Sequence, residues 1–91
     1  MSKIGVIGSG QVGQTLADGF LKHGHEVMRG SRDAGKLGDW KKGAGTKAQV
    51  GSLPETARFG EIVVLAVKGT AAAEAVAQCG DALDGRMLLY D

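Results

Sequence analysis

Residues 3–24 read KIGVIGSGQVGQTLADGFLKHG, and this stretch decides the fold of the chain. It opens with a short apolar run rich in β-branched residues, which predicts a buried strand. Helical spacing follows at once, because Val12, Leu16 and Phe20 recur at steps of four residues and predict one apolar helix face. Gly24 is typical of a helix end. The stretch therefore predicts a strand, a glycine-rich turn and a helix in direct succession.

The turn between strand and helix carries Gly8, Gly10 and Gly13 in the pattern G-x-G-x-x-G. In this context Gly8 permits a tight turn, Gly10 lets the backbone approach a pyrophosphate, and Gly13 allows helix and strand to pack closely. The helix N-terminus adds unpaired N–H groups and a partial positive charge. A glycine-rich turn without a ligand is the alternative. The context favours a dinucleotide site formed by Gly8, Ser9, Gly10, Gln11, Val12 and Gly13.

The rest of the chain repeats the alternation of strand and helix. Four further strands are predicted in HEVMRG, TKAQVG, EIVVLAV and GRMLLYD, at 25–30, 46–51, 61–67 and 85–91. Strands that are apolar on both faces indicate a parallel sheet with helices on both sides. We therefore expect one α/β domain over residues 1–91. It is a Rossmann-type doubly wound parallel sheet of order 3-2-1-4-5, and it lacks the sixth strand of the full fold.

Polar residues mark the expected starts of the later helices. Asp33 is expected to cap a weak helix in which Leu37 and Trp40 face inward. Ser52 opens the Ser-x-x-Glu pattern of a capping box, with a proline in the first turn, where proline is tolerated. Thr70 is expected to cap the alanine-rich helix that follows the fourth strand.

The second predicted strand ends in GSRD, Gly30–Asp33. An acid usually holds a free ribose 2′-hydroxyl near this position, whereas a 2′-phosphate needs cations and hydrogen-bond donors. Ser31 can donate a hydrogen bond, and Arg32 can grip phosphate oxygens through two parallel N–H groups. This favours NADP over NAD. Two alternatives stay open: Asp33 could bind the ribose of NAD, and Arg32 could be a solvated surface charge.

The fourth predicted strand leaves the sheet through Ala66, Val67 and Lys68. Ligands of open parallel sheets bind at such exits, where the strand order reverses. We expect the backbone of Ala66 and Val67 to run beside the cofactor, and Lys68 to reach a phosphate or a ribose. The alternative for Lys68 is a side chain that simply extends into water.

The composition limits the classes of function. The chain has 91 residues and a net charge of +1, which argues against a broad attraction to nucleic acid or membranes. The single cysteine, Cys79, excludes an internal disulfide and suits a reducing cytoplasm. No signal peptide and no apolar run of membrane length is visible. The sequence shows no metal-ligand spacing and no catalytic set, and Cys79 is expected to be a small buried or half-buried hydrophobic residue.

Three segments together resemble the NADP-binding half of the coenzyme F420-dependent NADP reductase family: IGVIGSGQVGQTLADGFLKHGHEV, GSRD and EIVVLAVKGTAAAEAV. The chain is similar, less closely, to the N-terminal domains of pyrroline-5-carboxylate reductases. In the reductases the serine and arginine of GSRD contact the 2′-phosphate, which the resemblance carries over to Ser31 and Arg32. The family often has Ala-Val-Pro at the exit of the fourth strand, whereas this chain has Ala66, Val67 and Lys68. Because family members are considerably longer, residues 1–91 are expected to be the N-terminal part of a longer architecture.

The resemblance implies an NADP-dependent oxidoreductase that exchanges a hydride between NADP and the deazaflavin F420. Such an exchange needs two rings held at reacting distance, so the protein supplies binding and orientation instead of catalytic side chains. The 91 residues alone are then expected to be insufficient for turnover. Two alternatives are a non-catalytic module that binds or senses NADP(H), and a reductase of an imine or small carbonyl substrate. The apolar last strand makes a homodimer one further expectation.

Overall fold

The computed structural model describes residues 2–32, 34–67, 69–83 and 87–89 of the chain. The described strands form one parallel sheet, and they are β1 (Lys3–Ile7), β2 (Glu26–Gly30), β3 (Ala48–Gly51), β4 (Ile62–Leu65) and β5 (Met87–Leu89). Their order across the sheet is β3-β2-β1-β4-β5, and the described residues contain no sixth strand. The predicted fold class and strand order are therefore confirmed.

Strand β1 lies between β2 and β4. Ile7 pairs with Gly30 on one side and with Leu65 on the other, so these three strands end at the same level. The chain proceeds from β1 to β2 and β3 on one side and then crosses to β4 on the other. The strand order thus reverses between β1 and β4, and the carboxyl ends of the strands there form the crevice in which such sheets bind ligands.

The described α-helices follow the strands and are α1 (Gln11–Lys22), α2 (Gly38–Ala44), α3 (Leu53–Phe59) and α4 (Gly69–Cys79). A 3-10 helix at Ala34–Leu37 precedes α2, and another at Gly80–Leu83 follows α4. The longest helix, α1, has 12 residues. None of the helices in the described ranges combines the length and the apolar composition that a membrane crossing requires.

The helix starts agree only in part with the predicted caps. Helix α3 has the predicted capping box, because Ser52 Oγ accepts the N–H of Glu55 at 3.2 Å and Glu55 Oε1 accepts the N–H of Ser52 at 2.8 Å. Thr70 is not a cap, since α4 already includes Gly69. Glycine can adopt helical dihedrals, so the helix extends one residue further than the cap pattern indicates. Asp33 lies outside the described residues.

Helices cover both faces of the sheet. Alternate residues of each strand point to opposite sides, so the apolar strands present an apolar surface on each face. On one face α3 and α4 bury a cluster of Ile7, Leu53, Ala57, Val63, Leu65, Ala75 and Cys79. On the other face α1 buries a cluster of Ile4, Val6, Ala17, Val27 and Val64. Burying each large aliphatic side chain contributes about 1.5–3 kcal/mol. The prediction that the strands are covered on both faces is confirmed.

Helix α1 contacts the sheet through small residues. Gly13 and Ala17 are buried, and Leu16 and Phe20 are half-buried beside the core. Val12, which was predicted to share the apolar face, is 43% exposed, so that part of the prediction is wrong. The first turn faces the sheet with Gly13 instead, one residue later and about 100° further around the helix.

Candidate functional site

The glycine turn joins the end of β1 to the start of α1. Gly8 has a φ of +137°, a backbone conformation that residues with a side chain rarely adopt. Its N–H donates to the carbonyl oxygen of Gly30 at the end of β2, with an N···O distance of 2.9 Å. A Cβ at Gly8 would stand 2.7 Å from the carbonyl oxygen of Ala66. The fold itself therefore requires glycine at this position.

Gly13 and Gly10 differ in their surroundings. A Cβ at Gly13 would lie 2.9 Å from the carbonyl oxygen of Gly8, so the close packing of helix on turn requires glycine there too. A Cβ at Gly10 would meet no atom of the described protein within 4 Å. The φ of Gly10 is −83°, which any residue can adopt. The described fold has no steric need for glycine at position 10, whereas a ligand that approaches the turn would give one.

The N-terminus of α1 presents unsatisfied donors next to this turn. Gly10 is the N-cap residue, and no side-chain hydrogen bond caps the helix. Gln11 and Val12 are exposed, and the first turn contains no acidic residue that would offset the positive end of the helix dipole. The turn thus offers backbone donors and a partial positive charge to an anion.

A cleft of about 320 Å³ opens beside the turn at the carboxyl ends of β1 and β2. Its lining residues are Ile7, Gly8, Ser9, Ser31, Arg32, Leu53, Val67, Ala71 and Ala75. Apolar walls with a few convergent polar side chains are typical of small-molecule sites. The cleft brings together predicted residues from three separate segments: the glycine turn, the end of β2 and the exit of β4.

Other predicted site residues lie beside the cleft without lining it. Gly10, Gln11, Val12 and Gly13 continue the turn into α1. Ala66 packs against the core on the α1 face, and its N–H donates to the carbonyl oxygen of Ile7 at 2.8 Å. Lys68 lies outside the described residues, so its proposed contact stays a prediction.

Arg32 forms an ion pair with Glu74 of α4, with 2.7 Å between Nη1 and Oε2. The side chains are 62% and 52% exposed, and ion pairs of this kind contribute only about 0–1 kcal/mol. The pair joins the end of β2 to α4, which are both walls of the cleft. A phosphate at this point would therefore compete with Glu74 for the guanidinium. Asp33, the alternative ligand of the ribose, lies outside the described residues.

Arg29, which lies beneath the glycine turn, was not predicted as a functional residue. Its side chain is only 1% exposed, and Nη2 donates to the carbonyl oxygens of Gly8 at 3.0 Å and Gly10 at 3.2 Å. Burial lowers the pKa of Arg29, and the negative charge of Asp18 acts in the opposite direction. A sequence signal existed: a charged residue in a strand that is expected to be buried needs partners.

The remaining reactive groups point to no nucleophile or metal. Cys79 is buried in α4 as predicted, with Sγ 3.4 Å from the carbonyl oxygen of Leu53. Burial raises the pKa of its thiol, which disfavours the reactive thiolate. Within the described ranges, no three His, Cys, Asp or Glu residues are grouped so that they could hold a metal ion. The described site is suited to bind and orient a ligand.

Solved structures of reductases share this architecture. A structure from Arthrobacter sp. FB24, assigned as an F420-dependent NADP-reductase, is 27% identical with a TM-score of 0.88 over 98% of this chain. An imine reductase of Streptomyces aurantiacus is 25% identical with a TM-score of 0.83, also over 98%. An imine reductase from Aspergillus terreus, solved with NADPH4 and dibenz[c,e]azepine, is 24% identical with a TM-score of 0.78 over 98% and shares the fold. The chain spans 45% of the first protein and 31% of each of the other two.

No curated protein matches the chain significantly. The sequence model of one family, described as NADP oxidoreductase, coenzyme F420-dependent, matches residues 3–89. This range includes the glycine turn, the GSRD segment and the exit of β4, the features on which the resemblance was based. The resemblance is therefore confirmed, and the chain belongs to the coenzyme F420-dependent NADP oxidoreductase family.

Proposed function

We propose that residues 1–91 form the NADP(H)-binding domain of an oxidoreductase that exchanges a hydride between NADP and a deazaflavin of the F420 type. The observation that carries this proposal is the cleft beside the glycine turn, whose lining includes Gly8, Ser9, Ser31 and Arg32. A turn suited to a pyrophosphate and a serine–arginine pair suited to a further phosphate thus lie on one cavity. Membership of the family supports the same cofactor and the same reaction.

NADP fits the groups that this site offers. The N-terminus of α1 and the open space at Gly10 would receive the pyrophosphate. Ser31 and Arg32 would bind the 2′-phosphate after Arg32 exchanges its weak ion pair with Glu74 for the phosphate oxygens. A carboxylate in place of Arg32 would repel that phosphate, so the arginine is what favours NADP over NAD.

The chain's own residues would bind and orient the cofactor. When bound, the nicotinamide ring accepts or releases the hydride. Ala66 and Val67, at the exit of β4, would run beside the cofactor toward that ring, and Lys68 would reach a phosphate or a ribose. Hydride exchange between two ring systems depends on their relative position, so the proposal needs no general acid or base from this domain.

We further propose that this domain is the N-terminal part of a longer architecture. The chain spans 45% of the Arthrobacter protein. Residues outside the domain would then bind the second substrate and complete the nicotinamide pocket. Under this proposal the 91 residues bind NADP(H) but turn over slowly or not at all by themselves.

Calorimetric titration of the 91-residue chain with NADP and with NAD tests the binding half of the proposal. We expect NADP to bind more tightly, because only NADP carries the phosphate that Arg32 can contact. Tighter binding of NAD, or binding of neither nucleotide, would contradict the proposal. This measurement does not depend on turnover.

Turnover with NADPH and a deazaflavin tests the reaction half. Oxidation of NADPH that requires the deazaflavin would support the proposed exchange. Absence of turnover is expected of the 91 residues by themselves. Absence of turnover also in a longer chain that contains the rest of the architecture would favour a non-catalytic module that senses or presents NADP(H). Oxidation only with a cyclic imine or a small carbonyl compound would favour the second candidate, an imine or carbonyl reductase. The 25% identity to the Streptomyces aurantiacus imine reductase is the observation behind that candidate.

A homodimer formed along β5 is a further proposal. Among the described strands, β5 pairs only with β4, so its other side is an open edge that a second strand could pair with. Size-exclusion chromatography at two concentrations tests this pairing. An apparent mass of one chain at both concentrations would contradict it.

The single Cys79 and the proposed NADP(H) cofactor lead us to propose the reducing cytoplasm as the compartment.

A further inference from the structure

Arg29 is the largest of the side chains that the structure buries completely. It lies in β2 on the same face as Val27, the face that α1 covers. Moving a guanidinium out of water costs several kcal/mol unless other interactions compensate for the lost hydration. A buried arginine directly under a turn suited to an anion therefore calls for a physical explanation.

The protein compensates this charge only in part. Nη2 donates to the two carbonyl oxygens of the glycine turn, and the guanidinium carbon lies 5.0 Å from the ring centroid of Trp40. Trp40 Nε1 in turn donates to Asp18 Oδ1 at 2.8 Å, and the negative charge of Asp18 acts on Arg29 through space without forming an ion pair with it. Nε has no hydrogen-bond partner, and no carboxylate of the described residues forms an ion pair with Arg29. A positive charge thus stays under the turn without a direct counter-charge.

The two hydrogen bonds of Arg29 contribute to the orientation of the turn. In a trans peptide, the C=O of one residue and the N–H of the next point in opposite directions, and the described chain contains no cis peptide. Because Arg29 holds the carbonyl oxygen of Gly8, the N–H of Ser9 points away from it. The carbonyl oxygen of Gly10 accepts from Arg29 and also from the N–H of Gln14 at 3.1 Å, so Arg29 and helix α1 together orient the N–H of Gln11. These two N–H groups are amides of the turn and of the first position of α1, where a pyrophosphate would be bound.

We propose that Arg29 is a positioning residue of the dinucleotide site, which orients the amides of the turn and adds its buried charge to the attraction for the pyrophosphate. This inference rests on the proposed binding of NADP(H). A charge buried beneath the turn is screened less by water and salt than a surface charge, so it adds effectively to the helix dipole. Arg29 then acts on the part that NADP and NAD share, whereas Arg32 acts on the 2′-phosphate that only NADP carries.

Arg29→Met tests this role, because methionine is similarly long and lacks both the charge and the donors. We expect Arg29→Met to bind NADP and NAD about ten- to a hundred-fold more weakly, with the ratio of the two affinities unchanged, in calorimetric titrations of the 91-residue chain. Denaturant unfolding without ligand should show equal or greater stability, because the variant buries no charge. A purely structural arginine would give the reverse, with lower stability and unchanged affinity of the folded protein.

Arg29→Lys and Lys22→Met complete the set. Lysine keeps the charge but lacks the planar fork of donors, so we expect a smaller loss that is again equal for both nucleotides. Lys22→Met removes one positive charge from the far end of α1 and should leave both affinities unchanged. If Arg29→Met does not fold, Arg29→Lys decides: a shared loss supports the inference, and undiminished affinities overturn it.

Two results for Arg29→Met would overturn the inference: undiminished binding of both nucleotides, or a loss confined to NADP. Failure of the proposed function looks different. In that case the unaltered chain itself would bind neither nucleotide, and the role of Arg29 would fall with it. Where the unaltered chain binds NADP and Arg29→Met binds it equally well, only the role of Arg29 is refuted.

Discussion

At the scale of single residues, the three glycines of the turn meet different demands. Gly8 has a left-handed φ and no room for a Cβ beside Ala66, and Gly13 has no room beside the carbonyl of Gly8. Gly10 has open space around it and an ordinary φ. The sequence pattern alone cannot separate these cases, because all three positions carry the same letter. The structure indicates that the fold requires two of them sterically and leaves open space beside the third.

Gly10→Ala should therefore separate binding from folding. We expect the free energy of unfolding to fall by at most about 1 kcal/mol, since alanine is a poorer N-cap than glycine but meets no protein atom. Binding of NADP and NAD should weaken together, because the new methyl group occupies the approach to the pyrophosphate. Denaturant unfolding and calorimetry measure the two effects. Gly13→Ala is the matched control and should destabilise the fold by about 1–3 kcal/mol through its contact with Gly8.

The ion pair of Arg32 and Glu74 gives a second prediction at this scale. Arg32→Ala should weaken NADP binding far more than NAD binding, because it removes the partner of the 2′-phosphate. Glu74→Gln should strengthen NADP binding by about two- to five-fold and leave NAD binding unchanged, since it removes a competing carboxylate from an exposed pair. Competition titrations against both nucleotides measure these changes. Weaker NADP binding by Glu74→Gln would show that the acid assists the site instead of competing for it.

At the scale of elements, α3 joins a local capping motif to the cleft. The helix begins with the Ser52–Glu55 capping box, and Thr56 Oγ1 donates back to the carbonyl oxygen of Ser52 at 2.8 Å. Leu53, the first residue of the helix, is buried in the core and also lines the cleft. The start of α3 therefore fixes one apolar wall of the candidate site. This motif was correctly predicted because all of its partners lie within four residues.

Ser52→Ala should lower the free energy of unfolding by about 1 kcal/mol, because it removes the hydroxyl oxygen that accepts the N–H of Glu55 at the helix start. Hydrogen bonds from Ser52 lower the pKa of Glu55, so the ionised form stabilises the fold. The contribution of ionised Glu55 to the free energy of unfolding is present above the ordinary carboxyl pKa. It is lost as the pH falls through the lowered pKa that Glu55 has in the folded state. The stability difference between the unaltered chain and Glu55→Gln should then shrink in acid, as urea unfolding at neutral and acid pH can measure. A difference that grows in acid would contradict this.

At the scale of the whole molecule, a chain of 91 residues has a thin core, so a bound nucleotide should contribute visibly to stability. The candidate site joins β1, β2, β4, α3 and α4, and a ligand there contacts elements that are far apart in sequence. A ligand that binds only the folded chain stabilises it in proportion to the logarithm of its concentration over Kd.

Thermal unfolding with and without nucleotide measures this linkage. At a free NADP concentration about 100 times Kd, the gain is about 2.7 kcal/mol, which for this size raises Tm by roughly 10–20 °C. The same concentration of NAD should raise Tm less, because it binds more weakly. An unchanged Tm with NADP would contradict the site, and an equal rise with NAD would contradict the role of Arg32.

The sequence by itself determined the α/β alternation, the glycine turn and the start of α3, because each depends on periodicity or on neighbours within a few residues. The strand order was predicted as well, because right-handed crossovers between parallel strands allow few arrangements. The prediction that Val12 lies on the buried face of α1 was wrong, and so was the prediction that Thr70 caps α4. In both cases a shift of one residue changes the helix face or the helix boundary. Tertiary structure alone decided the rest. Arg29 contacts Gly8 across 21 residues of sequence, and Arg32 contacts Glu74 across 42. The place of Arg29 in a buried strand indicates that it needs partners, but neither contact has a local signature that identifies the partner. The pairing of a charge depends on which distant elements the sheet brings together.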